Sequence, residues 1–216
     1  MSSVRIAEDT TAGDLSAFLV IWTLALEAGA LDTAAIAAAL AETQAAAQVE
    51  GSPADAAVEA YKTALTRLGR NPNRYRISSD ALLRRARKDG VPTILPLVDL
   101  NNILSIRSGL PIGCYDLAKV DGEIVHRQGR EGEVMATLGK GDMDVFKLPL
   151  LADAAGPFGS TVSDSVRCSI TEATTAPLFV MYGYGEVDEA ALLAMVSEVC
   201  ARVGGVFGEP PRLIRA

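Results

Sequence analysis

Apolar and polar positions divide the chain into two regimes. Up to about residue 110 the pattern reads as helices, and beyond Leu110 it reads as short strands followed by one closing helix. Thr11 to Asp14 offers caps for a first helix running to about Glu27 and ended by Gly29. The stretch from Leu31 is alanine-rich, strongly helix-forming, and stops at Gly51. Ser52-Pro53-Ala54-Asp55 then supplies an N-cap, a proline at the first helical position and an acid in the first turn, for a helix reaching Gly69. Residues 71–77 read as a loop or short extended piece. Ser79-Asp80 can cap a short helix ending at Gly90, and Pro96 opens another that Gly109 closes.

In the second regime, residues 111–120 and 123–128 flank Asp121-Gly122 and predict a β-hairpin, with His126 on an exposed strand. Residues 133–138 and 147–153 are further strand candidates, Gly156-Pro157 marks a turn, and 166–171 and 178–182 predict two more strands. From Val187 to Val203 apolar residues return at helical spacing, ending at Gly204-Gly205. Helices first, a sheet of short strands next and a final helix make an α+β chain rather than a βαβ repeat. The length fits a single domain over 1–216, with a helical N-terminal part to residue 90 and a β-rich part from 91.

Composition narrows the chemistry. At 49% hydrophobic residues the 216-residue chain can build an ordinary core without staples. The apolar run Leu15–Leu26 is too short for the roughly 20 residues of a membrane span. No signal peptide is visible, so a cytoplasmic protein is expected. Cys114, Cys168 and Cys200 are widely spaced and read as buried free thiols. With a single histidine, neither a zinc site nor a Ser-His-Asp triad has support, and no cofactor is expected. The net charge of −7 is uneven: residues 62–88 hold nine basic side chains and one acidic, a basic island in an acidic protein. Bulk charge argues against indiscriminate nucleic-acid binding, while a local patch can still meet phosphates.

One region carries an ordered series of motifs: Val98, Asp99 and Asn102; Gly109, Pro111, Tyr115, Asp116 and Leu117; Gly132, Glu133, Thr137 and Leu138; then Asp153, Gly156, Gly159 and Glu172. This series resembles the third and fourth domains, the editing module, of the phenylalanyl-tRNA synthetase β subunit, over about 85 residues from Val91 to Thr175. The resemblance implies a layered β/β/α domain of mixed, mostly antiparallel sheets with a pocket between the sheets. In the synthetase that pocket hydrolyses the ester of mischarged tRNA, the second sieve of a double-sieve mechanism. The chain looks like that module alone, preceded by its own helices and lacking the synthetase's other parts. The partner implied is tRNA or aminoacyl-tRNA, with no DNA and no membrane; the oligomeric state stays open.

Ester hydrolysis needs only a positioned water and donors for the developing oxyanion. Three strips are candidates for the substrate pocket. The first holds Gly113 and Tyr115, and here Gly113 replaces a histidine common in bacterial members. The second, residues 156–165, holds Ser160, Thr161 and Asp164, where relatives carry a glutamate; its backbone could form a nest of donors. The third holds Thr171, Glu172 and Ala173, with strand alternation setting Thr171 and Ala173 toward the pocket and Glu172 away. Asn102 joins them from the helix before, Asn101 beside it. For RNA the candidates are Arg70, Arg74, Arg76, Arg84, Arg85, Arg87 and Lys88, with Arg67 and with Tyr75 as a base-stacking ring. Three functions remain open: an aminoacyl-tRNA deacylase acting in trans, a module that binds RNA or an amino-acid-like ligand without turnover, and a hydrolase of another small ester or amide.

Overall fold

Side-chain caps start some of the helices, while the cap expected at Ser79-Asp80 does not form and that helix begins from Ile77. In a computed structural model, residues 4–8, 17–26, 31–139 and 141–215 are described. Helix α1 (Thr33–Ala46) begins under Asp32, whose carboxylate accepts from the N–H groups of Ala34 and Ala35. Helix α2 (Pro53–Arg67) begins with a reciprocal capping box between Ser52 and Asp55. Helices α3 (Ser78–Lys88) and α4 (Pro96–Ser108) follow, and α5 (Glu189–Arg202) is capped by Asp188. Gly109 ends α4 in the left-handed region at φ 71°, and a Cβ there would strike the backbone of Ala54 at the start of α2. Only glycine satisfies both demands.

Among the described residues there are also ten strands: β1 (Ile6–Glu8), β2 (Ala17–Leu24), β3 (Ile112–Asp116), β4 (Ile124–Gln128), β5 (Val134–Thr137), β6 (Gly141–Asp144), β7 (Pro149–Asp153), β8 (Gly156–Ser160), β9 (Pro177–Tyr184) and β10 (Phe207–Arg215). One four-stranded sheet runs β1-β4-β7-β8, a second runs β10-β2-β9-β3, and β5 pairs with β6. Every pairing is antiparallel except that of β1 with β4. The α+β class and the layered, mostly antiparallel sheets are those expected.

Several elements depart from the sequence reading. The first predicted helix is strand β2, buried at all eight positions. A short continuous apolar run fits a fully buried strand as well as a helix, and this one is rich in β-branched and aromatic residues. Trp22 stacks on Phe179 of β9 at 5.1 Å. The caps proposed at Thr11–Asp14, with Glu27 and Gly29, lie outside the described residues. The hairpin around Asp121-Gly122 does not form, because β3 pairs with β9 while β4 pairs with β7 and β1. Asp116 ends β3 by capping a 3₁₀ turn over Leu117–Lys119, which carries the chain to the other sheet. His126 is consequently buried on β4, 6.1 Å from the Tyr182 ring, and not exposed.

Residues 166–171 form turns in place of a strand. Ser and Thr side chains take the backbone N–H groups locally: Cys168 N–H donates to Ser165 Oγ, and Thr171 N–H to Thr174 Oγ1. Gly156-Pro157 opens β8, so the turn falls one step earlier, at Ala154-Ala155. The unanticipated β10 is an edge strand containing Pro210 and Pro211, and its register slips between Phe207 and Arg212, as prolines require.

The two sheets meet through Tyr115. Alternation along β3 turns Ile112 and Cys114 toward α4, and Gly113 and Tyr115 toward β8. The Tyr115 ring packs edge-on against Phe158 at 5.0 Å and is fully buried. A Cβ at either Gly113 or Gly159 would overlap its phenol, so the ring lies in a slot between two glycines of facing sheets. Gly113→Ala is expected to destabilise the fold by about 1–3 kcal/mol through overpacking, read as a lower urea midpoint with an unchanged m-value.

Candidate functional site

Between the sheets, the Tyr115, Phe158 and Tyr182 side chains fill the middle of the space where a pocket was expected. A cleft of about 510 Å³ opens instead on the helix side of β3, among α3, α4 and the loop 161–170. Ser78, Leu82 and Arg85 line it from α3; Val98, Asn101 and Asn102 from α4; Ile112 and Cys114 from β3; Ser163, Asp164, Ser169 and Ile170 from the loop.

The turn after β8 sets Asp164 in this wall. Gly159 bridges back to Asp164, Ser165 N–H donates to Phe158 O at 2.8 Å, and Leu138 N–H donates to Asp164 O at 3.0 Å. The Tyr115 hydroxyl, emerging from its glycine slot, donates to Asp164 Oδ1 at 2.8 Å and lies 2.9 Å from the Tyr182 hydroxyl. Burial pushes the Asp164 carboxyl up to about 7, outweighing the downward pull of the Tyr115 hydrogen bond. A carboxyl that changes charge near neutrality at a cleft wall has the properties of a general acid or base. Burial raises the Cys114 thiol well above its usual range, so it is protonated at neutral pH and no nucleophile.

Asn101 and Asn102 take different roles. Asn101 Nδ2 donates to Ile112 O at 3.2 Å and ties α4 to β3. Asn102 is 7% exposed, lines the cleft, and its amide has no hydrogen bond among the described residues. Of the remaining predicted site residues, Gly113 and Tyr115 face the other sheet and act on the cleft only through Asp164. Ser160 is buried, and its hydroxyl accepts from the N–H groups of Val162 and Ser163 while donating to Ser163 O. Ser160 N–H also donates to Ser163 O, so these donors are consumed inside the turn and form no nest open to a ligand. Thr161 is buried beneath the turn, its carbonyl accepting from Ser78 N–H. Thr171, Glu172 and Ala173 are exposed in a turn outside the cleft, so the strand alternation proposed for them does not hold.

The basic island is partly spent on the fold. Arg87 makes a two-point contact with Asp55 at 2.8 and 2.9 Å and caps the carbonyl of Ala47. Arg70 pairs with Asp144 at 3.1 Å and stacks over Tyr75, whose buried ring is closed to any base. Arg76 and Arg84 face Asp80, and Lys88 faces Asp89. Arg67, Arg74 and Arg85 are exposed and make no ion pair among the described residues, and of these Arg85 lines the cleft. Sequence reasoning counted Ser163 and Ser169 among its candidate strips but missed Ser78 and Leu82 as cleft residues. Their only signal is proximity in space.

A sequence model described as the B3/4 domain matches residues 60–202, more than half of the chain. The chain belongs to the B3/4 domain family. The phenylalanine–tRNA ligase β subunit of Chromobacterium violaceum is 36% identical over 75 residues, 34% of this chain and 10% of that protein. That of Aliivibrio fischeri is 31% identical over 143 residues, 64% of this chain and 17% of that protein. The matched stretch is thus a small part of these relatives' length. An N-terminal fragment of the phenylalanyl-tRNA synthetase β subunit from Pyrococcus horikoshii superposes with a TM-score of 0.47 at 15% identity, covering 95% of this chain and 50% of that one. Within this B3/4 domain, most charged residues of the motif series are architectural. Asp116 accepts from Thr174 Oγ1, Glu133 grips Arg127, and Asp153 grips Arg167. No helix among the described residues is long and apolar enough to cross a membrane.

Asp164 gives the cleft a pH signature. Its folded-state carboxyl titrates near 7, against about 3.9 in an unfolded chain. Between those values the folded state binds more protons, so the associated stability is complete below the lower value and is lost as pH rises through the upper one. Asp55, held well below its usual range chiefly by the Arg87 hydrogen bonds, has the opposite sign and titrates outside this window. Urea unfolding at about pH 5 and about pH 8 is expected to show wild-type stability falling, and Asp164→Asn losing that fall.

Proposed function

We propose that this B3/4 domain hydrolyses the ester of aminoacyl-tRNA, acting in trans in the cytoplasm on tRNA released by a synthetase. The observation that carries this reading is the Asp164 carboxyl, poised near neutrality at the wall of a cleft that also offers the unpaired Asn102 amide. Family membership supplies the substrate class, since the relatives named above are subunits of a tRNA ligase.

In this mechanism ionised Asp164 accepts a proton from a water as the water oxygen attacks the acyl carbonyl. Tyr115 holds the carboxylate in orientation from behind. The Asn102 amide donates to the carbonyl oxygen as negative charge builds there. Collapse of the tetrahedral species breaks the ester C–O bond. The departing ribose oxygen takes the proton from Asp164, releasing free amino acid and uncharged tRNA. The exposed Arg67, Arg74, Arg84 and Lys88 stand near enough in sequence to the cleft helix to meet acceptor-stem phosphates.

One observation favours a second reading, a module that binds without turnover: the N–H donors of Ser160, Val162 and Ser163 are all satisfied within their turn, leaving no nest for an oxyanion. A single assay separates the two. Deacylation of tRNAs charged with a panel of amino acids should show turnover on one or a few, rising with pH through about 7. Asp164→Asn should lower that rate by about 10²-fold or more and flatten its pH profile. Bound RNA with no release of amino acid anywhere in the panel would establish the binding module and remove the hydrolase.

A further inference from the structure

Two buried phenols stand in series behind the Asp164 carboxyl, and the proposed mechanism uses only the nearer one. Strands β3 and β9 pair with Gly113 opposite Val180 and Tyr115 opposite Leu178, so Gly113, Tyr115, Val180 and Tyr182 share one face of the sheet. The Tyr115 ring leans back over Gly113, where it occupies the place of a Cβ. That tilt carries its hydroxyl along the strand to 2.9 Å from the Tyr182 hydroxyl and 2.8 Å from Asp164 Oδ1. Tyr182 is buried, and its backbone is fixed on both sides: it pairs with Leu19 of β2 and donates its N–H to Pro111 O at 2.9 Å. Asp164 lines the cleft, and its second oxygen, Oδ2, has no hydrogen bond among the described residues.

One hydrogen per phenol fixes the direction of this chain. Burial raises both phenols well above their usual range, so each keeps its hydrogen at neutral pH. An ionised carboxylate only accepts, so the Tyr115 hydrogen lies on Asp164. The Tyr182 hydroxyl has no other hydrogen bond among the described residues, so its hydrogen lies on the Tyr115 oxygen. Donors in series polarise one another, and each strengthens the bond ahead of it. We propose that Tyr182 is a positioning residue for the hydrolysis: by donating to Tyr115 it commits that phenol's proton to Asp164 Oδ1, favours the ionised carboxylate and leaves Oδ2 to take the proton of the attacking water. This rests on reading Asp164 as the general base. Of the groups facing Asp164, the Cys114 thiol on β3 is protonated at neutral pH, Asn102 on α4 and Ser163 in the loop are uncharged, and Arg85 on α3 is the other charged side chain lining the cleft. Tyr182 itself faces His126 of β4 at 6.1 Å and Tyr61 of α2, a phenol also raised by burial.

The readout is the Asp164 carboxyl, titrated by ¹³C NMR in aspartate-labelled protein, its signal identified by its loss in Asp164→Asn. Tyr182→Phe removes one hydroxyl and should raise the midpoint by about half a pH unit. Tyr115→Phe should raise it by about 1–2 pH units. Adding Tyr182→Phe to Tyr115→Phe should give no further shift, because the effect travels through the Tyr115 hydroxyl. 3-Fluorotyrosine in place of Tyr182 keeps the hydroxyl, makes it a stronger donor, and should lower the midpoint, a test that stands even where Tyr182→Phe does not fold. An unmoved or lowered midpoint in Tyr182→Phe, a shift that survives in the Tyr115→Phe background, or no fall with 3-fluorotyrosine each overturns the proposal. Deacylation of charged tRNA is followed separately across pH, and its rising limb in Tyr182→Phe should move by the same amount as the carboxyl midpoint. Shifted midpoints with no turnover on any charged tRNA would sink the hydrolase, and the positioning role with it. Turnover whose pH limb ignores Tyr182→Phe would leave the hydrolase standing and this assignment refuted.

Discussion

The Tyr115 phenol lies in a slot that exists only because Gly113 and Gly159 lack side chains. From there its ring packs on Phe158 across the sheet interface, and its hydroxyl reaches both Asp164 and Tyr182. One side chain thus sets the spacing of two sheets and fixes the carboxyl that faces the cleft. A charge-assisted hydrogen bond of this kind contributes about 1.5–3 kcal/mol, and leaving its buried partner unsatisfied costs a comparable amount. The position where bacterial relatives were expected to show a histidine has no room for a side chain, because this tyrosine occupies it.

From that constraint the placement of the cleft follows. With Tyr115, Phe158 and Tyr182 packed between the sheets, the cleft lies on the other face of β3, bordered by α3, α4 and the 161–170 loop. The loop is held by Ser and Thr side chains bonded to their own backbone, which stiffens it while using up the donors an oxyanion would need. In the proposed hydrolase the chemistry therefore falls to side chains, Asp164 and Asn102, more than to backbone N–H groups.

The same division between structure and availability runs through the charged residues. Asp55 with Arg87, Glu133 with Arg127, and Asp153 with Arg167 each form two-point contacts that join segments distant in sequence or close a turn. Removing one partner of such a pair strands the other, so these residues are held by the fold whatever the ligand. Arg67, Arg74 and Arg85 stand outside this pattern, exposed and with no ion pair among the described residues.

The helices from α1 to α5 were legible in the sequence because caps, prolines and terminal glycines act within a few residues, and their energetics need no distant partner. The motif series from Val98 to Glu172 likewise pointed to the B3/4 family before any geometry was known. Strand β2 was misread because AFLVIWTL is apolar at every position, and only the layers packed on both of its faces select a strand over a helix. The β3–β4 hairpin failed because pairing partners are chosen across the whole chain, where β9 and β7 outcompete the local neighbour. The slot around Tyr115, the neutral-pH carboxyl of Asp164 and the separation of Arg85 from Arg87 were equally invisible in sequence. Each arises from burial and contact between residues far apart along the chain, and burial is a property that only the assembled tertiary structure confers.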